Sequence, residues 1–218
     1  RLALFFMNLS AIYIILMIRD YRMYRLWTYI GSLTLIFMLL FFSPVAKDRI
    51  IDQTINDFAG KNIEDGEFYI FSKPHHDMYK SGIRIFFDNK FFGVGPRQFR
   101  NQCKLYEFTT EHSIYSCETH PHNTYIELLS EAGIFAFLIV AILFSLITFF
   151  SFKHFFLRIF SSKKLFFNDF QVCLISAIII SLWPFSPSGS FFNNWMSIVY
   201  YYPIGMFLWS RHTEHKLD

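Results

Sequence analysis

Two histidines flank a proline in the segment CETHPHNTYIELLSEAGIFAFL, which leads into a long apolar run. They are His120 and His122, and Pro121 between them holds His120 extended and limits how the two imidazoles can turn. Imidazole is the side chain whose ordinary proton affinity suits general base catalysis near neutral pH. The pair therefore raises the possibility of proton transfer chemistry at the edge of an apolar segment.

A helix is predicted to begin directly after His122. Thr124 and Glu127 have the spacing of a capping box, so the helix starts near Asn123 or Thr124. Glu127 and Glu131 lie one turn apart, and carboxylates near a membrane are costly unless they face a polar interior. Because imidazoles, acids and a helix N-terminus converge here, the segment favours a functional site over a simple interfacial cap.

A glycine-rich turn, FFGVGPRQF, precedes this segment. Gly93 and Gly95 permit positive φ and close backbone approach, and Pro96 suits the first position of a helix. Such a helix start would present N–H groups that favour anions, and Arg97 and Arg100 add positive charge. An ordinary tight turn is the alternative interpretation, because a lone GxGP is a weak signal.

The residues before this turn are predicted to form an amphipathic helix that could lie along the membrane surface. One face carries Lys80, Arg84 and Asp88 at helical spacing. The other face gathers four apolar residues, Tyr79, Ile83, Phe86 and Phe87. Taken alone, Arg84 would form a solvated pair with Asp88.

The elements around these motifs indicate an integral membrane protein. The chain has 218 residues, of which 53% are hydrophobic and only 17% are charged, and the charges collect between long apolar blocks. An apolar run of about 18–20 residues is long enough to cross a bilayer. Spans are predicted at about residues 2–18, 26–46, 125–152, 169–185 and 195–209.

Basic residues in the short loops determine the predicted orientation. The loops RDYRMYR and KHFFLRIFSSKK and the terminal RHTEHK fall on one side, which is therefore cytoplasmic. The predicted domains are two transmembrane helices in 1–46, a large periplasmic segment in 47–121, and three transmembrane helices with a short cytoplasmic tail in 122–218. The net charge of +3 reflects this topology, and no nucleic-acid partner is expected.

The predicted periplasmic segment contains several further expectations. DQTINDFAGKN could form a short helix, and GEFYIFS a short strand. Cys103 and Cys117 could form a disulfide or remain free thiols, whereas Cys173, in a span, is expected to be a small buried apolar residue. The chain begins inside its first span, so we expect it to be the C-terminal part of a larger membrane protein.

Metal binding and serine hydrolysis fit the sequence poorly. The predicted outer side carries five histidines, His75, His76, His112, His120 and His122. However, HxH around a proline lacks the helical spacing of zinc motifs, and no nucleophile elbow is present. Neither a metal nor a cofactor is therefore expected.

FFGVGPRQF followed by HPHNTYIELLSEAGIFAFL resembles the C-terminal half of the O-antigen ligase and polymerase family of bacterial membrane glycosyltransferases. The ligases show His-Asn, then nine residues, Gly, two residues, and Gly, Thr or Tyr. This chain has His122-Asn123, the same spacing to Gly133, and then Ala136, which departs from the usual form. Arg84 matches the family arginine ahead of the GxGP turn, and the resemblance covers about residues 1–209.

The resemblance implies an all-α integral membrane protein, a multi-span helical bundle with one large extracytoplasmic segment in the periplasm. Members of the family reside in the bacterial inner membrane and move a glycan from an undecaprenyl-diphosphate carrier to an acceptor. The acceptor is the lipid A–core glycolipid in the ligases and another lipid-linked glycan in the polymerases, and related members glycosylate proteins. The transfer is expected to be inverting and independent of metal.

The resemblance also implies roles for individual residues. His122 would be the general base, and Arg84 would stabilise the departing diphosphate. Substrate binding is expected of Arg97, Arg100, His120, Asn123, Gly93, Gly95 and Glu131. A transporter would instead require ionisable residues deep in several spans, which the first two spans lack, and a non-catalytic scaffold would tolerate His122→Ala.

Overall fold

The computed structural model describes residues 2–52, 55, 73–105, 117–160 and 166–214, and within these ranges the regular secondary structure is helical. The elements are α1 (Leu2–Met17), α2 (Arg22–Phe42), α3 (Pro44–Lys47), a π-helical turn (Asp48–Asp52), α4 (Lys73–Asp88), α5 (Phe99–Gln102), α6 (Thr124–Glu127), a second π-helical turn (Leu128–Ala132), α7 (Gly133–Phe160), α8 (Asp169–Leu182) and α9 (Asn194–Glu214). The strand predicted in GEFYIFS, most of the short helix predicted before it, and His112 lie outside the described residues.

In the described part of the chain, two helical stretches are long and apolar enough to cross a membrane by length and composition, Arg22–Phe42 and Thr124–Phe160. The apolar helices α1 and α8 are shorter. Arg22–Phe42, with 21 residues, has about the length that a bilayer requires, whereas Thr124–Phe160, with 37, exceeds it. The all-helical prediction is thus confirmed for the described residues, whereas the five-span arrangement stays a prediction.

Helix α8 lies at the centre of the apolar bundle, where it packs against α1, α7 and α9. Its residues Val172, Ile175, Ile178 and Leu182 recur at helical spacing and are almost completely buried. Polar contacts tie the same helix to its neighbours. The Ser10 and Ser176 hydroxyls are hydrogen-bonded, and the Gln171 amide donates to the Ser210 hydroxyl at 3.0 Å.

The three basic segments meet at one end of this bundle. Arg19 and Arg22 belong to the first basic loop and Arg158 to the second, and the charges of the first two act on the third. The two loops therefore lie close together. Arg211, near the end of α9, lies over the ring of Phe166 at 5.0 Å and donates to its carbonyl. A common end is what the predicted orientation requires, and the side of the membrane that it faces stays a prediction.

The structure decides between the two alternatives for Cys103 and Cys117 and corrects the prediction for Cys173. Cys103 and Cys117 form a disulfide with their Cα atoms 5.2 Å apart, which selects one of the two predicted alternatives. The prediction that Cys173 is buried is wrong, because it lies on the exposed side of α8, beside Gln171 and Val172, which point into the bundle.

Helix α4 forms as predicted. Of the apolar residues predicted to share a face, Tyr79 is buried, whereas Ile83 and Phe87 are exposed. The actual contact face contains Met78, Ser81, Gly82 and Ile85. A Cβ at Gly82 would lie 2.5 Å from the Ile126 side chain. The small residues of α4 allow this close approach and so select the side that packs, and the position of α4 at the membrane surface stays a prediction.

Candidate active site

The two motif segments are joined through their backbones. The N–H groups of Val94 and Gly95 donate to the carbonyls of Ser130 and Glu131 at 3.0 and 2.8 Å. On the other side, Ile134 N–H donates to the Lys90 carbonyl at 2.9 Å. The carbonyls of Ser130 and Glu131 belong to the second π-helical turn. Because this turn winds more widely than an α-helix and ends at Gly133, the two carbonyls remain available as hydrogen-bond acceptors. The irregular helix is thus the docking surface for the glycine-rich turn.

Glycine is required at two positions of this contact. A Cβ at Gly93 would lie 2.3 Å from the Glu131 carbonyl carbon, and a Cβ at Gly133 would lie 2.1 Å from the Phe91 carbonyl oxygen. Both glycines also have positive φ, 64° and 78°. Gly95 differs, since its φ is 100° but its Cβ would meet nothing nearer than 3.5 Å. Gly93 therefore contacts protein backbone, and Gly95 serves the conformation of the turn.

Glu131 occupies the anion site that the glycine-rich turn forms. Its carboxylate, 1% exposed, accepts hydrogen bonds from the N–H of Arg97 at 2.5 Å and of Phe99 at 2.8 Å. The predicted preference of the turn for an anion is thus satisfied from within the chain. The prediction that Pro96 begins a helix is wrong, because α5 starts at Phe99 and the bonds to Glu131 hold the preceding residues in a turn.

Asn123 caps the N-terminus of α6. Its side-chain oxygen accepts from the N–H groups of Tyr125 and Ile126 at 3.0 and 3.1 Å. Its amide nitrogen donates to the Pro184 carbonyl at 2.7 Å. The predicted capping box between Thr124 and Glu127 is wrong, since Asn123 supplies the cap and Glu127 binds elsewhere.

Glu127 binds the loop between α8 and α9, residues 183–193, which we call the outer loop. The fully buried carboxylate accepts from the Ser190 hydroxyl at 2.5 Å and the Phe191 N–H at 2.8 Å. The two glutamates thus face polar partners inside the protein, as predicted. Each fixes a different loop, Glu131 the glycine-rich turn and Glu127 the outer loop.

The outer loop also forms one wall of the histidine segment. Ser188 N–H donates to the His122 carbonyl at 3.0 Å, and the Thr124 hydroxyl donates to the Ser188 hydroxyl at 2.9 Å. The Arg97 guanidinium donates to the Phe192 carbonyl at 2.7 Å. The sequence did not single out this loop as part of the site. Its one usable signal was that SPSGSFFNN is polar and predicted on the same side as the histidines.

Three imidazoles meet beside the N-terminus of α6. The ring centroids of His120 and His122 are 4.1 Å apart, and that of His75, from the first turn of α4, is 5.7 Å from His122. His122 has a positive φ of 53°. Its side chain therefore points in a different direction from that of a residue that precedes a helix with an ordinary negative φ. The sequence presents His75 only as a candidate metal ligand, because its contact with His122 joins segments that are distant in the chain.

The three imidazoles differ in their affinity for a proton. Burial lowers the pKa of His75 and His122, and it lowers the pKa of His120 to about 4. A positive charge on His122 lowers the pKa of both neighbours further, whereas Glu118 raises the pKa of His122. Burial therefore favours the neutral form of all three imidazoles, and a proton on His122 disfavours a second proton on either neighbour.

The predicted arginines separate into two groups. Arg100 lies near the imidazoles, where its charge contributes to the low pKa of His120, and Arg97 contacts the outer loop. Arg84 is exposed on α4, nine residues after His75. That separation is about 13 Å along the helix and places the two residues on opposite sides of it. Arg100 thus lies near His120, Arg97 lies at the outer loop, and Arg84 lies on the side of α4 opposite His75.

This arrangement is suited to proton abstraction next to a developing negative charge. A half-buried, neutral imidazole can accept a proton from a hydroxyl group. The Arg100 guanidinium, whose charge reaches the imidazoles, can stabilise an anion. Within the described part of the chain, no group of three or more His, Cys, Asp or Glu residues is arranged to hold a metal ion.

Comparison with known proteins identifies the family. The O-antigen ligase family model matches residues 1–141, which include the glycine-rich turn, the histidine segment and Gly133. No curated protein and no solved structure matches the chain. Membership in the family implies an enzyme of the glycosyltransferase type, and the family together with the apolar helices indicates a membrane protein. Because the match spans more than half of the chain and contains both motif segments, the protein belongs to the O-antigen ligase family.

Proposed function

We propose that this chain carries the catalytic site of a glycosyltransferase that moves a glycan from an undecaprenyl-diphosphate carrier to an acceptor sugar. In O-antigen ligation that acceptor is the lipid A–core glycolipid. The single observation that carries the proposal is the half-buried His122 imidazole, kept neutral by burial and held directly before the N-terminus of α6. Membership in the O-antigen ligase family supports this class of reaction.

The proposed reaction is one displacement at the sugar C1 atom. A hydroxyl oxygen of the acceptor forms the new bond to C1 as the bond from C1 to the phosphate oxygen breaks. The electron pair of the broken bond leaves with the carrier diphosphate, and the hydroxyl proton goes to the His122 imidazole. Attack opposite the leaving group inverts the configuration at C1, and no metal takes part.

The departing diphosphate requires positive charge. Arg100, with its charge close to the imidazoles, and Arg97, at the edge of the outer loop, are the proposed ligands, because guanidinium groups bind phosphate by paired hydrogen bonds. Arg84 is proposed to bind the carrier phosphates from the exposed side of α4. It would meet them at a position separate from His122, since it lies on the opposite side of that helix from His75.

The other proposed binding residues support this surface. His120 borders His122, and Asn123 fixes the start of α6. Gly93, Gly95 and Glu131 hold the turn that presents the two arginines. Their proposed contribution to substrate binding is therefore through the shape of the turn.

We further propose that the chain lies in the bacterial inner membrane with the segment 47–121 in the periplasm. The clustering of the basic segments at one end of the bundle, and of the histidine site at the other end of α8, supports this orientation. The domains would then be 1–46 and 122–218 in and near the membrane, on either side of that segment. The lipid bilayer and the carrier-linked glycan are the partners that this arrangement requires.

Replacement of His122 tests the proposal. In the full-length protein, His122→Ala is expected to abolish transfer of glycan to the acceptor while the protein still inserts into the membrane, because the acceptor hydroxyl loses its base. Arg84→Ala is expected to reduce transfer as well. Gel profiles of cell-surface glycan measure the result. Loss of all core-attached glycan indicates ligation, and loss of a ladder down to one repeat indicates the polymerase alternative.

His212→Ala is the matched control. His212 is an exposed histidine in the last turn of α9, at the basic end of the bundle, and its removal should leave the glycan profile unchanged. A normal glycan profile in His122→Ala, with protein present in the membrane, contradicts the proposed base. It would favour a non-catalytic role for this surface.

A further inference from the structure

His75 brings a ring to His122 from a separate helix. The two rings meet edge to face, with centroids 5.7 Å apart and planes at 65°. One turn further along α4, Tyr79 contacts His75 in the same manner at 6.2 Å. His75 therefore lies between a buried tyrosine and the proposed base. Aromatic rings in this arrangement restrict each other's orientation.

Helix α4 is held firmly against the histidine segment. A Cβ at Gly82 would lie 2.5 Å from Ile126 and 3.9 Å from Pro121, so no larger residue separates the helix from the segment. Ile126 follows the cap that fixes the start of α6, and Pro121 directly precedes His122. The position of His75 relative to His122 is therefore set by close packing on both sides of the contact.

His122 depends on its neighbours for its orientation. Its backbone adopts a positive φ, and its carbonyl is bound by the outer loop, so the main chain directs the side chain into the space between α4 and the preceding turn of chain. In that space the centroid of the His122 ring lies 4.1 Å from that of His120 and 5.7 Å from that of His75. The two neighbouring rings bound the imidazole from two directions.

We propose that His75 is a positioning residue for the glycosyl transfer, whose ring holds the His122 imidazole in line with the acceptor hydroxyl and keeps water away from it. The inference rests on the proposed function of His122 as general base. His75 does not compete for the proton, because burial and the charge on His122 both lower its pKa. Its contribution is the ring itself, not a second base.

Three variants of the full-length enzyme separate the ring from its nitrogen atoms. His75→Ala and His75→Gln remove the ring, whereas His75→Phe retains a ring of similar shape. With an undecaprenyl-diphosphate-linked glycan and the acceptor glycolipid as substrates, we expect the first two to lower kcat about tenfold or more with little change in KM for the donor. His75→Phe should retain most of the wild-type kcat.

The pH profile gives a readout that a loss of folding would not produce. Water that enters in His75→Ala reduces the burial of His122, so the pKa of His122 should rise and the acid limb of kcat/KM should move to higher pH. The other charged and titratable groups at the imidazoles, His120, Glu118 and Arg100, are unchanged in this variant. His76→Ala, one residue along α4, is the matched control and should leave the acid limb in place.

The outcomes distinguish this inference from the function on which it rests. If His122→Ala retains transfer, the proposed base is wrong, whatever His75 does. If His122→Ala is inactive but His75→Gln shows wild-type kcat and an unshifted pH profile, only the positioning role is overturned. An equal effect of His76→Ala, or a His75→Phe variant as slow as His75→Gln, would also overturn it.

Discussion

His122 combines an unusual backbone with a half-buried side chain. A non-glycine residue at a φ of 53° carries a cost of about 1–2 kcal/mol, which the surrounding contacts must offset. The Ser188 N–H donates a hydrogen bond to the His122 carbonyl, and the next residue, Asn123, caps the N-terminus of α6. Strain of this kind is often retained where a side chain must be aimed at a substrate. The His122 side chain is directed toward His75 and His120.

The pH dependence of transfer should report His122. Burial lowers its pKa below the ordinary value of about 6.5, so the neutral form that accepts a proton persists as the pH falls through that value. We therefore expect the acid limb of kcat/KM to be centred below the ordinary imidazole pKa. Initial rates between acid and neutral pH would measure this, and an acid limb centred above 6.5 would contradict the burial of the imidazole.

The arginines show why residue type alone was insufficient to assign roles. The sequence predicts Arg84 as catalytic and Arg97 and Arg100 as substrate-binding, and the charge of Arg100 acts on His120. Helical geometry directs Arg84 away from His75, and the sequence order does not contain that information until the contact face of α4 is known. The sequence correctly singled out His120 and His122 as a pair, since only one proline separates them.

At the scale of elements, the site depends on an interrupted helix. A π-helical turn between α6 and α7 ends at Gly133, and its carbonyls accept hydrogen bonds from the glycine-rich turn. The apolar run and the capping motif predict one continuous helix through this segment. The interruption is stabilised by the turn, and the buried carboxylate of Glu131 anchors that turn in return. Each segment therefore supplies the hydrogen bonds that the other lacks.

Gly133→Ala should disrupt this contact. Its Cβ would overlap the Phe91 carbonyl, and the residue would also be strained at positive φ, so we expect a loss of stability of about 2–4 kcal/mol together with loss of transfer. Thermal unfolding of the detergent-solubilised protein and the surface glycan profile measure the two effects.

Gly31→Ala provides the comparison for that variant. Gly31 lies in α2 with nothing within 4 Å of its Cβ position, and alanine there should be neutral or slightly stabilising. Equal stability of the two variants would show that the turn does not dock on the π-helical turn as described.

At the scale of the whole molecule, the described residues form two hydrophobic cores. The bundle core surrounds α8, and a second core unites α4 and α5 through Met78, Ile85 and Phe99, with the disulfide at its edge. The site lies where the histidine segment, the glycine-rich turn and the outer loop meet. Residues far apart in the chain, such as Arg97 and Phe192, contact each other there.

Loss of the disulfide should destabilise the second core. The bond closes a loop with a sequence separation of 14, for which the chain-entropy relation gives about 3 kcal/mol. We expect Cys103→Ala, or treatment with a reductant, to lower the unfolding temperature and weaken transfer.

Cys173→Ala is the control for the cysteine experiment, because Cys173 is exposed and unpaired. It should leave both the unfolding temperature and the response to a reductant unchanged. If Cys103→Ala is as stable as Cys173→Ala, the disulfide contributes nothing to the fold of this segment.

The sequence by itself determined the helices and the two segments that form the site, because apolar runs, helical periodicity and closely spaced motifs are local properties. It could not determine which partners the buried groups take. Glu131 with the glycine-rich turn, Glu127 with the outer loop, and His75 with His122 are all contacts between distant segments. Such contacts are decided only when packing brings the segments together and each buried polar group must find a partner. The tertiary structure alone therefore decided which side of α4 faces the imidazoles and which arginine lies beside them.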